Sequence, residues 1–184
     1  PTPKPKLYNN GMALYFVTGN AGKFAEVKTD IQVVEQLSLD LVEIQSNDAK
    51  EIITAKLKEA QKTCAGEILV EDTSLYFEGL NGLPGPLIKW FMKSIGVEGL
   101  FNLVNQIGNN KAKAVSIFGY INQAGDVSFY EGNVDGTIVA PTGSNGFGWD
   151  SIFKPTGSST TFAEMSTKEK SSERNNMRRR ALEK

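Results

Sequence analysis

The sequence predicts a mixed α/β fold in which one β-sheet is flanked by helices. Short apolar runs alternate with helix-period segments in the first part of the chain, a pattern typical of strands connected by helices. Further along, two alternating stretches at residues 112–122 and 127–134 are separated by a turn at Gly125, which predicts a β-hairpin. Because helical connections and a hairpin occur in one chain, the sheet is expected to be mixed rather than doubly wound and parallel.

The first part of the chain predicts strands and helices in alternation. The apolar run at residues 13–18 (ALYFVT) ends in a glycine and an asparagine, which predicts a buried strand followed by a turn. Apolar residues spaced three and four apart predict a helix over residues 23–34. The same two patterns predict a strand at residues 39–44, an amphipathic helix at residues 49–63 and a strand at residues 67–71.

The second part of the chain begins with a glycine- and proline-rich loop at residues 79–86 (GLNGLPGP). A helical stretch through residues 90–91 and a second helix over residues 99–107 are predicted after it. Beyond the hairpin, residues 143–155 are rich in glycine and aromatic residues and predict a loop. The tail from Met165 is predicted to be helical and basic.

The composition is that of a globular protein. Of the 184 residues, 40% are hydrophobic and 22% are charged. The sequence contains no repeat and no interdomain linker, and its length suits one ordinary domain. Residues 13–184 are therefore predicted to form a single domain. The proline-rich, polar segment at residues 1–12 is predicted to be a loose leader or a cloning remnant.

Charge and residue types exclude several classes of function. A net charge of -1 gives no electrostatic attraction to nucleic acid polymers, and no apolar run approaches the length of a membrane span. Cys64 is the only cysteine, which excludes an intrachain disulfide and favours a reducing compartment such as the cytoplasm. Histidine is absent, which excludes His-based metal sites and catalytic triads. Any chemistry must therefore use carboxylates, lysines, hydroxyl groups or a metal ion.

The first candidate site is the strand-to-helix turn at residues 18–23 (TGNAGK). Such a turn exposes backbone N–H groups at a helix N-terminus, which suits a phosphate group. The turn lacks the GxxxxGK[ST] spacing of a Walker motif. An ordinary strand–turn–helix connection is the alternative interpretation.

The second candidate site is the run at residues 71–74 (EDTS), which is predicted to lie at the end of an apolar strand. Carboxylates at a strand end can bind Mg²⁺, which takes oxygen ligands and shares them with substrate phosphates. The alternative is an acidic cap in a turn, with no metal bound.

The third candidate site is the loop at residues 145–150 (NGFGWD), in which glycines alternate with two aromatic residues before an acid. Aromatic rings exposed on a flexible loop can stack on a base. The alternative is that both rings pack into the core beneath the loop. A phosphate turn, a carboxylate site for a metal and a stacking loop in one chain together indicate a nucleotide.

These motifs resemble, in order and spacing, those of the inosine triphosphate pyrophosphatase (Ham1-like) family over residues 13–182. The matching stretches are FVTGNAGKFAEV, VEDTSLYFEGLNGLPGPLIKWF, IVAP, GFGWDSIFKP and TFAEM. The IKWF continuation resembles eukaryotic members rather than bacterial ones. The resemblance implies an elongated mixed sheet between two lobes, a nucleotide in the cleft, and a homodimer. It also implies hydrolysis of noncanonical purine nucleoside triphosphates (ITP, dITP and XTP) to the monophosphate and pyrophosphate.

The resemblance implies which residues act on the triphosphate and the metal. Asp72 and Glu43 would bind Mg²⁺, with Mn²⁺ as an alternative ion, and Asp72 would also be the general base. Lys23 is the second residue expected to take part in catalysis. For Glu43 and Lys56 the local sequence is weakly informative, and a solvated surface position is the alternative. The residues expected to contact the phosphates are Thr18, Gly19, Asn20, Ala21, Gly22, Lys23, Lys56 and Lys89.

The resemblance also implies which residues contact the base and the sugar. Thr73 would contact the nucleotide near the metal, and Lys170 would reach the edge of the base. The base and sugar site would be lined by Phe147, Gly148, Trp149 and Asp150.

One departure from the family pattern concerns base recognition. The family usually carries a Ser-His-Arg tripeptide near its C-terminal end, where this chain has Asn176, Met177 and Arg178. The arginine is retained, and Arg178 is therefore included among the residues expected to bind substrate. The loss of the serine and the histidine affects the fine selectivity for the base and not the hydrolytic chemistry.

Two rival interpretations belong to other groups of proteins. A Maf-like pyrophosphatase would act on modified pyrimidine or methylated nucleotides, and the FGWD loop and the VEDT run argue against it. A nucleotide-binding protein without turnover is the second rival. The retention of Asp72, Lys23 and Lys89 argues against that interpretation.

Overall fold

The computed structural model describes residues 13–64, 66–172 and 176–184, so the predicted leader at residues 1–12 lies outside the described residues. Strands and helices alternate along the first part of the chain, as predicted. In chain order the elements are β1 (Leu14–Val17), α1 (Ala21–Asp30), β2 (Glu35–Leu37), α2 (Ala49–Gln61), β3 (Glu67–Phe77), β4 (Pro84–Gly85), α3 (Ile88–Ile107), β5 (Lys111–Ile121), β6 (Val127–Ile138), β7 (Phe153–Pro155), α4 (Thr167–Lys170) and α5 (Met177–Leu182).

The strands form one mixed sheet with the order β2-β1-β3-β5-β6-β7, and β4 pairs with β3. Strand β1 is parallel to both β2 and β3, whereas β4 is antiparallel to β3 and β7 is antiparallel to β6. Strands β5 and β6 are joined by a turn in which the Asn122 N–H donates to the Asp126 carbonyl at 3.1 Å. The predicted mixed α/β class is therefore confirmed.

The second strand lies at Glu35–Leu37, and its predicted position at residues 39–44 is wrong. Its place is set by parallel pairing with β1, which the local sequence does not encode. Helix α1 ends at Asp30 instead of continuing to residue 34, since Ile31 leaves the helical conformation with φ -114°. The apolar character that suggested a later strand comes partly from Val42, which is 72% exposed in an irregular segment.

Strand β3 is longer than the predicted residues 67–71 and extends to Phe77. Its second half is held by antiparallel pairing with β4, in which Leu75 lies opposite Gly85. The acidic run therefore lies inside a strand, and the prediction that it ends a strand is wrong. Because successive side chains of a strand point to opposite faces, neighbouring members of the run reach different surroundings.

Helix α3 contains both helical segments that were predicted for this region. Gly96 interrupts it with φ 68° and ψ -177°, a conformation that glycine adopts without steric cost. The predicted loop before the helix contains a 3₁₀ turn at Glu78–Leu80 and the short strand β4. Neither α3 nor any other helix of the described residues has the length and apolar character needed to cross a membrane.

The chain divides into two compact units. Of the described residues, the first unit comprises those up to Asp72 together with Ile117–Tyr130, and the second comprises those of Thr73–Ser116 and Glu131–Lys184. Strands β3, β5 and β6 each contribute residues to both units. Within the first unit, buried residues of α2, β1 and β5 form the core, where the rings of Phe16 and Phe118 lie 5.9 Å apart.

The second unit has an aromatic core that includes the residue at the start of α5. Met177 is buried in the same cluster as Phe153 and Phe162. Helix α5 also approaches β6 closely at Gly132, where a Cβ atom would collide with the Met177 carbonyl oxygen and the backbone nitrogen of Ala181. The absence of a side chain at Gly132 therefore lets the backbone of α5 contact the strand directly.

We expect Gly132→Ala to lower the free energy of unfolding by about 1–3 kcal/mol, because the added methyl group meets backbone atoms that cannot rotate away. Urea denaturation measures the change. The matched control is Gly19→Ala, since a Cβ atom at Gly19 meets nothing within 4 Å. Equal stabilities of the two variants would contradict the close packing of α5 on β6.

Candidate active site

The predicted phosphate turn opens helix α1, and local hydrogen bonds order its side chains. Asn20 is the N-cap of the helix, and its Oδ1 accepts the Lys23 N–H at 3.0 Å. Thr18 Oγ1 in turn accepts the Asn20 N–H at 3.1 Å. Ala21 and Gly22 are the first helical residues, so their N–H groups lie at the positive end of the helix. Phosphate binding by this turn stays a prediction.

The Lys23 side chain pairs with Glu71, the first residue of the acidic run, to which the sequence interpretation assigned no separate role. Lys23 Nζ lies 2.5 Å from Glu71 Oε2, and the Glu71 side chain is 0% exposed. A buried carboxylate requires a partner of this kind, because removing its charge from water is costly. The sequence shows an acidic residue directly after an apolar run, but the neighbouring residues do not indicate that its partner is Lys23.

Lys56 lies between the two carboxylates that were predicted to bind a metal. Its Nζ is 2.9 Å from Glu43 Oε1 and 3.5 Å from Asp72 Oδ1. Burial lowers the pKa of Lys56, but the neighbouring Asp72 and Glu43 raise it by more, so that it lies above the usual 10.5. Lys56 is therefore a buried cation, and these three side chains form one charged cluster. The alternative of a solvated Lys56 does not hold.

The donor set of this cluster fits magnesium shared with a phosphate ligand. Among the described residues, no group of three or more Asp, Glu, Cys or His side chains is arranged to hold a metal ion. Mg²⁺ is usually bound by one or two carboxylates, with waters and substrate phosphates completing the shell. Glu43 and Asp72 both contact the same ammonium group and offer hard oxygen ligands. They fit such a shared site and not a cage made by protein alone.

The two aromatic residues of the 145–150 loop have opposite environments. Trp149 is 6% exposed, and its ring lies 5.5 Å from that of Phe153 in the core. Phe147 is 37% exposed. The core-packing alternative therefore holds for the Trp149 ring, and a contact of Trp149 with the base stays a prediction. Phe147 presents the exposed ring of the loop, and Gly148 separates the two.

Asp150 connects this loop to helix α4. Its Oδ2 accepts the Phe147 N–H at 2.8 Å and also accepts a hydrogen bond from Lys170 Nζ at 2.7 Å. Lys170 Nζ lies 4.9 Å from the centre of the Phe147 ring, within cation–π range. Helix α4 begins with a capping box between Ser166 and Glu169, which fixes the turn that carries Lys170. The structure thus brings these predicted residues together.

Arg178 is buried, with 3% of its surface exposed, and is held from helix α5. Its Nη2 donates to Thr73 Oγ1 at 2.8 Å, and its Cζ lies 5.7 Å from the centre of the Phe147 ring. Lys170 and Arg178 therefore both lie against the one exposed ring of the loop. The link between Thr73 and Arg178 is a feature that the sequence interpretation missed, because the two residues are far apart in the chain.

The two positions before Arg178 have structural roles in this chain. Asn176 is the N-cap of α5, and its Oδ1 accepts the Arg179 N–H at 3.0 Å. Met177 is buried in the aromatic core of the second unit. The residues that replace the Ser-His pair of the family pattern therefore cap and anchor the helix that presents Arg178.

The predicted site residues fall into two groups, one in each unit. Lys89 belongs to the second group and is exposed in the first turn of α3. Its Nζ lies 6.0 Å from the centre of the Trp90 ring. Contact of Lys89 with a phosphate stays a prediction. The first unit carries Thr18, Gly19, Asn20, Ala21, Gly22, Lys23, Glu43, Lys56 and Asp72, and the second carries Thr73, Lys89, Phe147, Gly148, Trp149, Asp150, Lys170 and Arg178.

The sequence is similar to a protein family and to individual proteins with named activities. A model of the Ham1 family matches residues 14–184. The inosine triphosphate pyrophosphatase of Schizosaccharomyces pombe is 43% identical over 164 residues, covering 87% of this chain and 87% of its own. The inosine triphosphate pyrophosphatase of Neurospora crassa is 46% identical over 159 residues, covering 84% and 82%. Both relatives are eukaryotic, in agreement with the interpretation of the IKWF stretch.

A solved structure agrees with the fold. A HAM1 protein from Coxiella burnetii superposes with a TM-score of 0.80 over 94% of this chain and 95% of its own, at 21% sequence identity. At this identity the likeness concerns the fold alone, which is the mixed sheet flanked by helices described above.

We expect Lys56→Met to lower the free energy of unfolding by about 1–3 kcal/mol, since it leaves Glu43 and Asp72 without their shared cation. Lys58→Met on the same helix is the matched control, because Lys58 is exposed. Urea denaturation of both variants at neutral pH measures the difference.

The same comparison has a defined pH dependence. Since the pKa of Lys56 is raised above 10.5 in the folded protein, its stabilising effect is fully present below that pH and is lost as the pH rises through the folded-state pKa. From neutral pH upward, the stability gap between wild type and Lys56→Met should therefore narrow only above pH 10.5. A gap that closes between neutral pH and pH 10.5 would contradict the assignment of a positive charge to Lys56.

Proposed function

This chain belongs to the Ham1 family, and on that premise we propose that it hydrolyses noncanonical purine nucleoside triphosphates. The substrates are ITP, dITP and XTP, and the products are the nucleoside monophosphate and pyrophosphate. The activity removes these nucleotides from the nucleotide pool. The match to the Ham1 family does not favour the Maf-like interpretation. The assay described below distinguishes an enzyme from a nucleotide-binding protein without turnover.

One observation carries the choice of base: two cations lie against an exposed aromatic ring. Lys170 and Arg178 offer only hydrogen-bond donors, and Phe147 offers a stacking surface. A 6-oxo purine presents an acceptor to such donors, whereas the 6-amino group of adenine presents a donor. A site built on hydrogen bonds rejects an analogue that leaves its polar groups unpaired. The geometry therefore supports inosine and xanthosine nucleotides over ATP.

The charged residues of the first unit supply the groups that the triphosphate requires. Lys23 Nζ carries three donors, so it can bind a phosphate oxygen while it remains paired with Glu71. Lys56 is a second ammonium group, and it is buried beside Asp72. Positive charge of this kind stabilises the negative charge that develops on the phosphoryl group, which is most of the catalytic effect in phosphoryl transfer.

Asp72 is proposed to accept the proton of the attacking water. The water oxygen forms a bond to the α-phosphorus as the bond between that phosphorus and the bridging oxygen breaks, and pyrophosphate leaves with that bond's electrons. The proton moves to a carboxylate oxygen of Asp72. No covalent intermediate is required.

Glu43 and Asp72 are proposed to hold Mg²⁺, with Mn²⁺ as an alternative. When bound, the ion would neutralise phosphate charge and add to the electrostatic stabilisation that the lysines give. We further propose a homodimer and a cytoplasmic location, on the basis of the family resemblance and of the single cysteine, Cys64. Neither a nucleic acid polymer nor a membrane is among the proposed partners.

A pyrophosphate-release assay with Mg²⁺ tests the proposal across ITP, XTP, dITP, GTP and ATP. Pyrophosphate and the monophosphate should be the initial products, and ITP and XTP should be turned over with much higher kcat/KM than ATP. Initial release of inorganic phosphate with a diphosphate would overturn it. Nucleotide binding without any product would favour the rival without turnover.

We expect Asp72→Asn to lower kcat with ITP by at least about 100-fold, because the amide keeps the shape of the side chain but cannot accept the proton or carry the charge. Asp135→Asn is the matched control, since Asp135 is exposed on β6. Steady-state kinetics at saturating Mg²⁺ measure both variants. Activity of Asp72→Asn within about tenfold of wild type would place the base elsewhere.

We expect Arg178→Ala to lower kcat/KM for ITP more than for ATP, because the 6-oxo group loses a donor that adenine cannot use. The loss of transition-state stabilisation should be larger for ITP by about 1–3 kcal/mol. Arg179→Ala is the matched control: it removes an adjacent arginine whose side chain is 43% exposed and pairs with Glu183. A constant ratio of ITP to ATP activity in Arg178→Ala would show that this arginine does not read the base.

A further inference from the structure

We propose that Thr73 is a positioning residue for base recognition, and that its hydroxyl group fixes the guanidinium of Arg178 against the Phe147 ring. The inference rests on the proposed function and deepens it. It assigns to Thr73 an action through Arg178, where the family resemblance implied a contact with the nucleotide itself.

The geometry joins three separate elements of the second unit. Thr73 lies on strand β3 and Arg178 on helix α5, and the hydrogen bond from Arg178 Nη2 to Thr73 Oγ1 is 2.8 Å long. The Arg178 Cζ is 5.7 Å from the centre of the Phe147 ring, which belongs to the 145–150 loop. The hydroxyl group therefore fixes one end of the guanidinium plane while the ring lies near its centre.

A hydroxyl partner has a different effect from a carboxylate partner. Lys170, the other cation against this ring, donates to the carboxylate of Asp150, so its charge is balanced in place. The Thr73 hydroxyl carries no charge and engages one of the five N–H donors of the guanidinium. This contact therefore orients the planar guanidinium of Arg178 and uses one of its N–H donors.

The burial of Arg178 makes this orientation specific. An arginine side chain has several rotatable bonds, and in a buried position its rotamer is set by the partners it meets. A hydrogen bond between a charged donor and a neutral acceptor contributes more than one between neutral groups. Removal of the hydroxyl group should release the guanidinium from its place at the ring.

The first experiment compares Thr73→Val, which removes the hydroxyl group at nearly constant volume, with Thr73→Ser, which keeps it. We expect Thr73→Val to lower the ratio of kcat/KM for ITP to kcat/KM for ATP by about 10-fold to 100-fold, mainly through a higher KM for ITP, as for the loss of a charge-assisted hydrogen bond. Thr73→Ser should restore most of the ratio. Thr137→Val, the same change on strand β6 of the same unit, is the matched control and should leave the ratio unchanged.

A double-mutant cycle tests whether Thr73 acts through Arg178. In the Arg178→Ala background, Thr73→Val should change the ITP-to-ATP ratio by less than about twofold, because the group that it positions is gone. Independent, multiplying effects would overturn the inference and would favour a direct contact between Thr73 and the nucleotide. An unchanged ratio in Thr73→Val alone would overturn it as well.

Equilibrium binding separates failure of the inference from failure of the proposed function. Calorimetric titration of the protein with ITP and ATP needs no turnover. If wild type releases no pyrophosphate but prefers ITP, and Thr73→Val loses that preference, the proposed hydrolysis is wrong and the positioning role stands. If wild type hydrolyses ITP and Thr73→Val keeps the full preference in both assays, only the positioning role is wrong. Absence of any ITP preference in wild type would overturn both.

Discussion

The burial of the Arg178 guanidinium is the constraint on which the arrangement of the second unit depends. A buried charge is costly unless hydrogen bonds replace its hydration, so its surroundings must be fixed. Helix α5 meets this demand by direct backbone contact with β6 at Gly132 and by the burial of Met177. Arg178 links this helix to the loop at residues 145–150, since its Cζ lies 5.7 Å from the centre of the Phe147 ring. The N-cap residue Asn176 also helps to place Arg178, because it fixes where the helix begins.

The first unit is organised around an imbalance of charge. Two ammonium groups, those of Lys23 and Lys56, contact three carboxylates, those of Glu43, Glu71 and Asp72. The five groups together carry one excess negative charge. Each carboxylate contacts a cation, and the negative excess of the cluster favours the proposed binding of a further positive ion. A divalent ion would reverse the imbalance and prepare the cluster for a polyanionic triphosphate.

Local patterns predicted most of the fold, and their failures have a common cause. Helix α2 and the hairpin follow from periodicity, since their apolar faces repeat within a few residues. The second strand was misplaced because its position depends on pairing with β1 and not on its own composition. The end of β3 was missed for the same reason, since its partner β4 is only two residues long.

The candidate site could be predicted as segments and not as contacts. The motifs identified the turn, the acidic run and the loop, because each has a distinctive residue composition. No pattern in the loop distinguishes Phe147 from Trp149, and only the packing of the core decides which ring is exposed. The partner of Glu71 and the partner of Arg178 were likewise invisible, because both contacts join residues far apart in the chain.

The position of the acidic run inside β3 has an evolutionary consequence. Glu71, Asp72 and Thr73 are consecutive, and each serves a different side chain: Lys23, Lys56 and Arg178. Insertion or deletion of one residue here would turn every later side chain of the strand to the opposite face. Such a change between the start of β3 and Glu71 would separate all three partnerships at once. Homologous chains should therefore keep the length of this strand constant even where its apolar residues vary, and should place their insertions in the connections between elements.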